Sequence, residues 1–185
     1  MSDPPDPATR MDEWLPHPAV RVRHARRASG DVEPDALWVA ASTVRLRDTP
    51  RLGRLVRWRI PGTAGDVTYR EMFREYPFTV LEETPRSSLS GLCGRIWTLS
   101  RDYPRLAGAD EFTAWDRSGT VRVLFGHWVQ KDARGRPELV SEARVQPTDR
   151  LAALRLRALW AGFGVFERLV GAEPLTVAVR RAAGG

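Results

Sequence analysis

The run 148–170 constrains this chain most, because it reads as one long amphipathic helix. At 100° per residue, Leu151, Leu154, Ala158, Leu159, Gly162, Phe163, Val165, Phe166, Leu169 and Val170 share one broad sector, with Arg150, Arg157, Glu167 and Arg168 opposite. Thr148 or Asp149 is placed to cap the free N–H groups of the first turn. Gly171 and Pro174 are expected to break the helix, leaving 175–183 as a final turn or two. A helix of this length spans roughly 33 Å. An apolar face of that length needs a partner surface to match, and the strand-like segments ahead of it are the obvious one.

Those segments follow a clear order. Residues 1–13, rich in Pro and Asp, read as a disordered lead, with a single domain over 14–185. From Val20 the sequence alternates, with Val20, Val22, His24 and Arg26 on one side and Arg21, Arg23, Ala25 and Arg27 on the other, which is a strand pattern. Three short helices are expected next. The first opens at Pro34 with Leu37, Trp38 and Ala41 inward; the second carries Leu52, Leu55, Val56 and Ile60; the third carries Tyr69, Met72, Phe73 and Tyr76. Strands follow at 78–83 and 88–97, then an extended piece at 110–115. The strongest strand covers 120–130, and a loop at Gly135 turns it into 138–147. A meander of strands with helices segregated from it gives an α+β class with an antiparallel sheet.

Charge and cysteine content narrow the function. The net charge is +6, yet Lys131 is the sole lysine among 29 basic residues, and the arginines are dispersed from Arg10 to Arg181. They are not interleaved with aromatics as a nucleic-acid stacking platform requires, so no nucleic-acid partner is expected. Cys93 is the single cysteine, which excludes an internal disulfide, and its apolar neighbours predict a buried, inert thiol. No apolar stretch reaches the roughly 20 residues of a transmembrane helix, and the start lacks a signal-like segment. A cytoplasmic location is expected.

Several stretches together resemble a known family. Trp14-Leu15-Pro16 leads into a first strand carrying His24, and 34–38 opens the first helix. The run 78–85 leads into 91–97, and 141–145 stands just ahead of a helix containing Leu159-Trp160. In order and spacing these resemble the helix-grip fold of the START-like, or SRPBCC, superfamily, in a bacterial branch related to polyketide cyclases and lipid-transfer proteins. The resemblance spans about residues 14–183. Gly162, Gly164, Glu167 and Pro174 depart from the branch, whose last helix is more regular and more basic. The resemblance implies a curved antiparallel sheet wrapped around a long C-terminal helix, with an apolar cavity between them. It further implies a hydrophobic or amphipathic ligand, lipid-like or polyketide-like, or alternatively a cyclase or aromatase acting in the same cavity without a cofactor.

The residues offer candidates for that cavity. Seven Trp and six Phe are generous for this length, and they either fill a core or line a cavity. Gly162 in the apolar sector leaves room for a ligand or a closely packed strand, and Trp160 is expected on the helix's outer side. The expected lining is Trp38, Met72, Phe73, Phe78, Trp97 and Phe125, with Leu159, Gly162, Phe163 and Phe166 from the last helix. In the strongest strand, Val121, Val123, Phe125, His127 and Val129 share a face, so His127 is either a satisfied core residue or a general base. Glu142 and Arg144 also share a face, as a polar cavity floor or an ordinary surface ion pair. Tyr69 completes the candidate proton-handling set of His127, Glu142, Arg144 and Tyr69. His24 reads as structural and His17 as solvated. There is no phosphate loop, nucleophile elbow or H-E-x-x-H pair, and three scattered histidines give no metal spacing, so neither cofactor nor metal is expected.

Overall fold

A computed structural model describes the backbone over residues 6–59, 62–98, 103–163 and 166–184, and side chains over 6–57, 62–98, 103–161 and 172–184. The elements run α1 (Pro7–Trp14), β1 (Val20–Arg27), α2 (Pro34–Ser42), a 3-10 turn (Leu46–Asp48), α3 (Pro50–Arg59), α4 (Tyr69–Met72), β2 (Thr79–Thr84) and β3 (Ser87–Gly94). Then come α5 (Ala109–Ala114), β4 (Val121–Lys131), β5 (Pro137–Pro147), α6 (Arg150–Phe163) and α7 (Phe166–Gly184). The class is α+β. Five strands form one curved, open, antiparallel sheet in the order β1-β5-β4-β3-β2, so the first strand pairs with the last and a meander fills the rest.

Register decides what meets across the sheet. His127 sits opposite Ser88 on β3 and Ser141 on β5, and Ser141 in turn sits opposite His24 on β1. On this face Leu139, with Phe125 and Val129 beside it, joins Leu37 and Trp38 of α2, Met72 and Phe73 of α4, and Leu175 and Ala178 of α7 in one cluster. Leu156 of α6 covers Leu92, Val121, Val123 and Val145 further along. The other face is covered too. Leu124 and Trp128 of β4, Val140 of β5, and Leu89 and Cys93 of β3 pack beneath Met11 and Leu15 at α1 and Phe112 of α5.

Four expectations are corrected. Residues 7–13, read as part of a disordered lead, belong to α1 (Pro7–Trp14): Asp6 accepts a hydrogen bond from Ala8 N–H at its start, and Met11 is wholly buried. The piece at 110–115 is not extended, since α5 occupies it with Phe112 inward. The last helical stretch does not stop at Gly171 and Pro174; α7 runs through Pro174 to Gly184. Packing outweighs the hydrogen bond that proline removes, because Leu175 and Ala178 are buried and Glu173 is tied to α3.

The fourth concerns the face that α6 presents. Leu151 and Leu154 are 51% and 59% exposed, whereas Ala152 and Leu156 are buried and Trp160 packs inward. The helix is thus turned so that the expected apolar sector points partly at solvent, and Trp160 is not on its outer side. Asp149 is the cap: its carboxylate accepts from Ala152 N–H (2.7 Å), Gly119 N–H (2.6 Å) and the Ser118 hydroxyl (2.6 Å). These bonds hold its pKa down at about 2, the Ala152 bond contributing most.

Candidate functional site

Tyr69 is placed by the start of α4. Thr68 accepts from Glu71 N–H at 3.1 Å, and the Glu71 carboxylate accepts from Thr68 N–H at 2.8 Å, a reciprocal cap that fixes this short helix. Tyr69 N–H donates to Val44 O at 2.7 Å and Leu46 N–H donates to Val67 O at 3.0 Å, which pins α4 to the connection after α2. The phenol then reaches across to β4. Its oxygen lies 3.0 Å from His127 Nε2, and the two rings meet edge to face with centroids 4.9 Å apart. Ser141 adds a hydrogen bond to the same hydroxyl. Phe73 packs against Tyr69, Phe78, Phe125 and His127, with centroids 4.6–5.0 Å away, so the pair belongs to a cluster of five rings.

Burial sets the charge state here. Loss of hydration drives the His127 pKa down to about 3, and it drives the Tyr69 phenol well above its ordinary value against the Ser141 hydrogen bond. Both groups are therefore neutral around pH 7. The pair can donate and accept hydrogen bonds but is poorly matched to proton transfer, which works best with a pKa near the working pH.

Beside the pair lies a cavity of about 30 Å³, room for about two waters, partly open to solvent. Trp38, Ala41 and Ser42 of α2, Tyr69 and Arg70 of α4, Phe73, Ser88 of β3, His127, Leu139, Pro174 and Leu175 line it. Of the expected residues, Trp38, Phe73, Tyr69 and His127 are brought together here. Met72, Phe78 and Phe125 belong to the packed shell around them rather than to the wall. Trp97 and Leu159 lie elsewhere: Trp97 packs at the Leu92–Val123–Leu156 cluster with the Arg155 guanidinium 5.9 Å from its ring centroid, and Leu159 is half-buried on α6. The side chains of Gly162, Phe163 and Phe166 lie outside the described residues.

Sequence reasoning missed Ala41, Ser42, Arg70, Ser88, Leu139, Val140, Pro174 and Leu175 as lining residues. The parity of β3 carried the signal for Ser88, since Leu89 and Cys93 face α1 and α5 and leave Ser88 on the other side. Ser42 and Arg70 sit at helix ends, where a few degrees of rotation decide between cavity and solvent. Pro174 and Leu175 became legible only once α7 ran through them.

Glu142 and Arg144 do not belong to this site. They project from the opposite face of β5, level with Gly126 and Leu124 of β4. Nor are they a surface pair, because both are buried, with 1% exposure or less. Arg144 Nε donates to Glu142 Oε1 (2.7 Å), Nη1 to Asp12 Oδ1 (2.5 Å) and Nη2 to Ala8 O (3.3 Å), which joins α1 to the sheet. Arg21 Nε lies 2.8 Å from Glu142, and Arg23 Nη1 lies 3.3 Å from it. The alternation that groups Glu142 with Arg144 is right; grouping them with His127 requires partners on β4 and β5 of unlike parity, and the register places Ser141 opposite His127 instead.

Cys93 is buried, and desolvation pushes its thiol up to about 12, so it carries no reactive thiolate. Among the described residues no group of three His, Cys, Asp or Glu could hold a metal ion, and no helix is long and apolar enough to cross a membrane. In comparisons with known proteins, the chain matches no family model and no curated protein sequence.

Proposed function

We propose that this protein binds a small hydrophobic or amphipathic molecule in the cavity between the sheet and the C-terminal helical segment, with Tyr69 and His127 as its polar end. The observation that carries the reading is the neutral Tyr69–His127 pair, 3.0 Å apart, set into an aromatic wall beside an open space. Few polar groups converging in an apolar cavity are what orients a ligand in such sites. The element order, with β1 returning to pair with the last strand, supports a helix-grip arrangement as the frame. The size of the cavity narrows the ligand: with room for about two waters it takes the polar end or a short arm of a molecule whose remainder lies at the open side, not a long-chain lipid.

A cyclase or aromatase reading has the same two groups in its favour. Their proton affinities argue against it, since His127 holds a proton too weakly and Tyr69 too strongly. Glu142 and Arg144, which would have completed the proton-handling set, are on the other face.

The test is calorimetric titration with uncharged ring compounds (phenol, indole, benzyl alcohol), joined to native mass spectrometry of protein purified from its own host. Binding by at least one compound is expected, with loss of that binding in Ala41→Phe, where the new ring plugs the mouth. Equal binding by the plugged variant, or no binding by any panel member together with a clean apo mass, sinks the reading.

A further inference from the structure

The cavity wall holds two polar atoms with nothing to bond. Ser42 Oγ and Arg70 Nε are both buried without a hydrogen-bond partner, and both residues line the same cavity. A buried polar group left unpaired costs about 1–3 kcal/mol, and more when it is charged. Two such atoms at one opening therefore favour an acceptor that comes from outside the chain.

The remaining contacts of Arg70 position its head without using Nε. Its Nη2 donates to Glu83 at 3.3 Å, and its Cζ lies 5.9 Å from the Trp38 ring centroid. Arg74 Nη2 donates to the same carboxylate at 2.7 Å, so two guanidinium groups share one acid. With His127 neutral, Arg70 is the one charged side chain among the described residues lining the cavity. The electrostatic surplus at the wall is positive, and no lining carboxylate cancels it.

We propose that Arg70 and Ser42 form an acid-binding end of this cavity, so that the ligand is a small monocarboxylate entering by its acid group. Its carboxylate accepts from Arg70 Nε and Ser42 Oγ and about fills the space, while the rest of the molecule lies at the open side. A neutral carbonyl satisfies the same donors, but Arg70 shares its one carboxylate partner, Glu83, with Arg74, and a charge-assisted bond is about twice as strong as a neutral one. This assignment rests on the cavity being the binding site.

The experiment compares benzoate with benzamide, which has nearly the same shape and no charge, and with benzyl alcohol, all at pH 7 by titration calorimetry. Benzoate is expected to bind about tenfold more tightly than benzamide. Arg70→Gln is expected to abolish the tenfold preference for benzoate over benzamide; Ser42→Ala is expected to lower benzoate affinity several-fold. Equal affinities for benzoate and benzamide, or a benzoate affinity unchanged in Arg70→Gln, overturn the acid-binding end and leave the cavity reading standing. No binding by any of the three compounds removes both. Should Arg70→Gln fail to fold, Ser42→Ala decides: an unchanged benzoate affinity there overturns the proposal.

Discussion

Burying His127 against Tyr69 and Phe73 keeps its imidazole neutral, and that choice has a thermodynamic signature. The folded pKa of about 3 lies below the value near 6.5 of a free imidazole, so the unfolded chain takes up the proton first. Between those two values the unfolded state binds more protons than the folded one, and stability falls as the pH drops. The contribution is complete above about pH 6.5 and is lost towards pH 3 at about 1.4 kcal/mol per unit. Urea unfolding at pH 7 and pH 5 is expected to differ by about 2 kcal/mol from this source, a difference missing in His127→Gln. An equal slope in that variant would mean the imidazole is not held neutral by burial. Carboxylates such as Asp149, whose pKa is lowered to about 2, act in a lower window, beginning near the unfolded value of about 4. At this scale the sequence was legible up to parity. Alternation along β4 assigned His127 correctly to the face of Val123 and Phe125. Which face of β5 it shares depends on a one-residue register that no single strand encodes.

At the scale of elements, Glu142 and Arg144 act as the latch for α1 rather than as a cavity floor. The Arg144 guanidinium ties Asp12 and Ala8 O of the helix to Glu142 of the sheet, and Arg10 adds bonds to Glu82 at 2.8 and 2.9 Å. Removing one partner of a buried pair leaves the other charge uncompensated, which typically costs 3–5 kcal/mol. Glu142→Gln is therefore expected to destabilise the protein by roughly 3 kcal/mol, measured by urea unfolding. Adding Arg144→Met to it is expected to restore part of that loss, because the unpaired guanidinium is then gone. Simple additivity of the two changes would contradict the latch. A second inter-element cap joins α7 to α3: Glu173 accepts from Leu52 N–H at 2.8 Å and Arg51 N–H at 3.4 Å, serving the start of α3 from across the fold. Glu173→Ala is expected to cost about 1 kcal/mol in thermal or urea unfolding, like the loss of a local N-cap. Neither device was readable from the chain, because both join residues more than 100 positions apart. What was readable were the local signals: Pro34 at the start of α2, and Thr148 or Asp149 at the start of α6, of which Asp149 is the cap.

For the whole molecule, the decisive fact is that the sheet is covered on both faces. Strand β3, with Ser87, Ser88, Ser90, Gly91 and Gly94 among its eight residues, is buried throughout although its sequence shows no apolar alternation. Its small residues make room for neighbours on either side. A Cβ at Gly91 would lie 2.6 Å from the Phe112 ring of α5, and one at Gly126 of β4 would lie 2.6 Å from Met11 Sδ of α1. Helix α1 is thus seated in a slot cut for it, with Leu15 just beyond it also wholly buried. The opening residues looked like a disordered lead because their composition is that of one; between Ala8 and Pro16 the large hydrophobic residues are Met11 and Trp14-Leu15, too little to mark a helix without the slot that receives it. If α1 is part of the fold's second layer, a chain lacking residues 1–16 loses the burial of Met11 and Leu15 and the acceptors of Arg144 at Asp12 and Ala8. At about 2–5 kcal/mol for each buried side chain removed, and about 2–4 °C per kcal/mol at this length, the melting temperature is expected to fall by about 10 °C or more. Trp128 fluorescence, reporting from beneath the uncovered face, is expected to shift to the red in the same chain. A truncated protein that melts with the parent and keeps its tryptophan emission would show that α1 only rests on the sheet, and that the strands and the helices on the Tyr69–His127 side hold the fold without it.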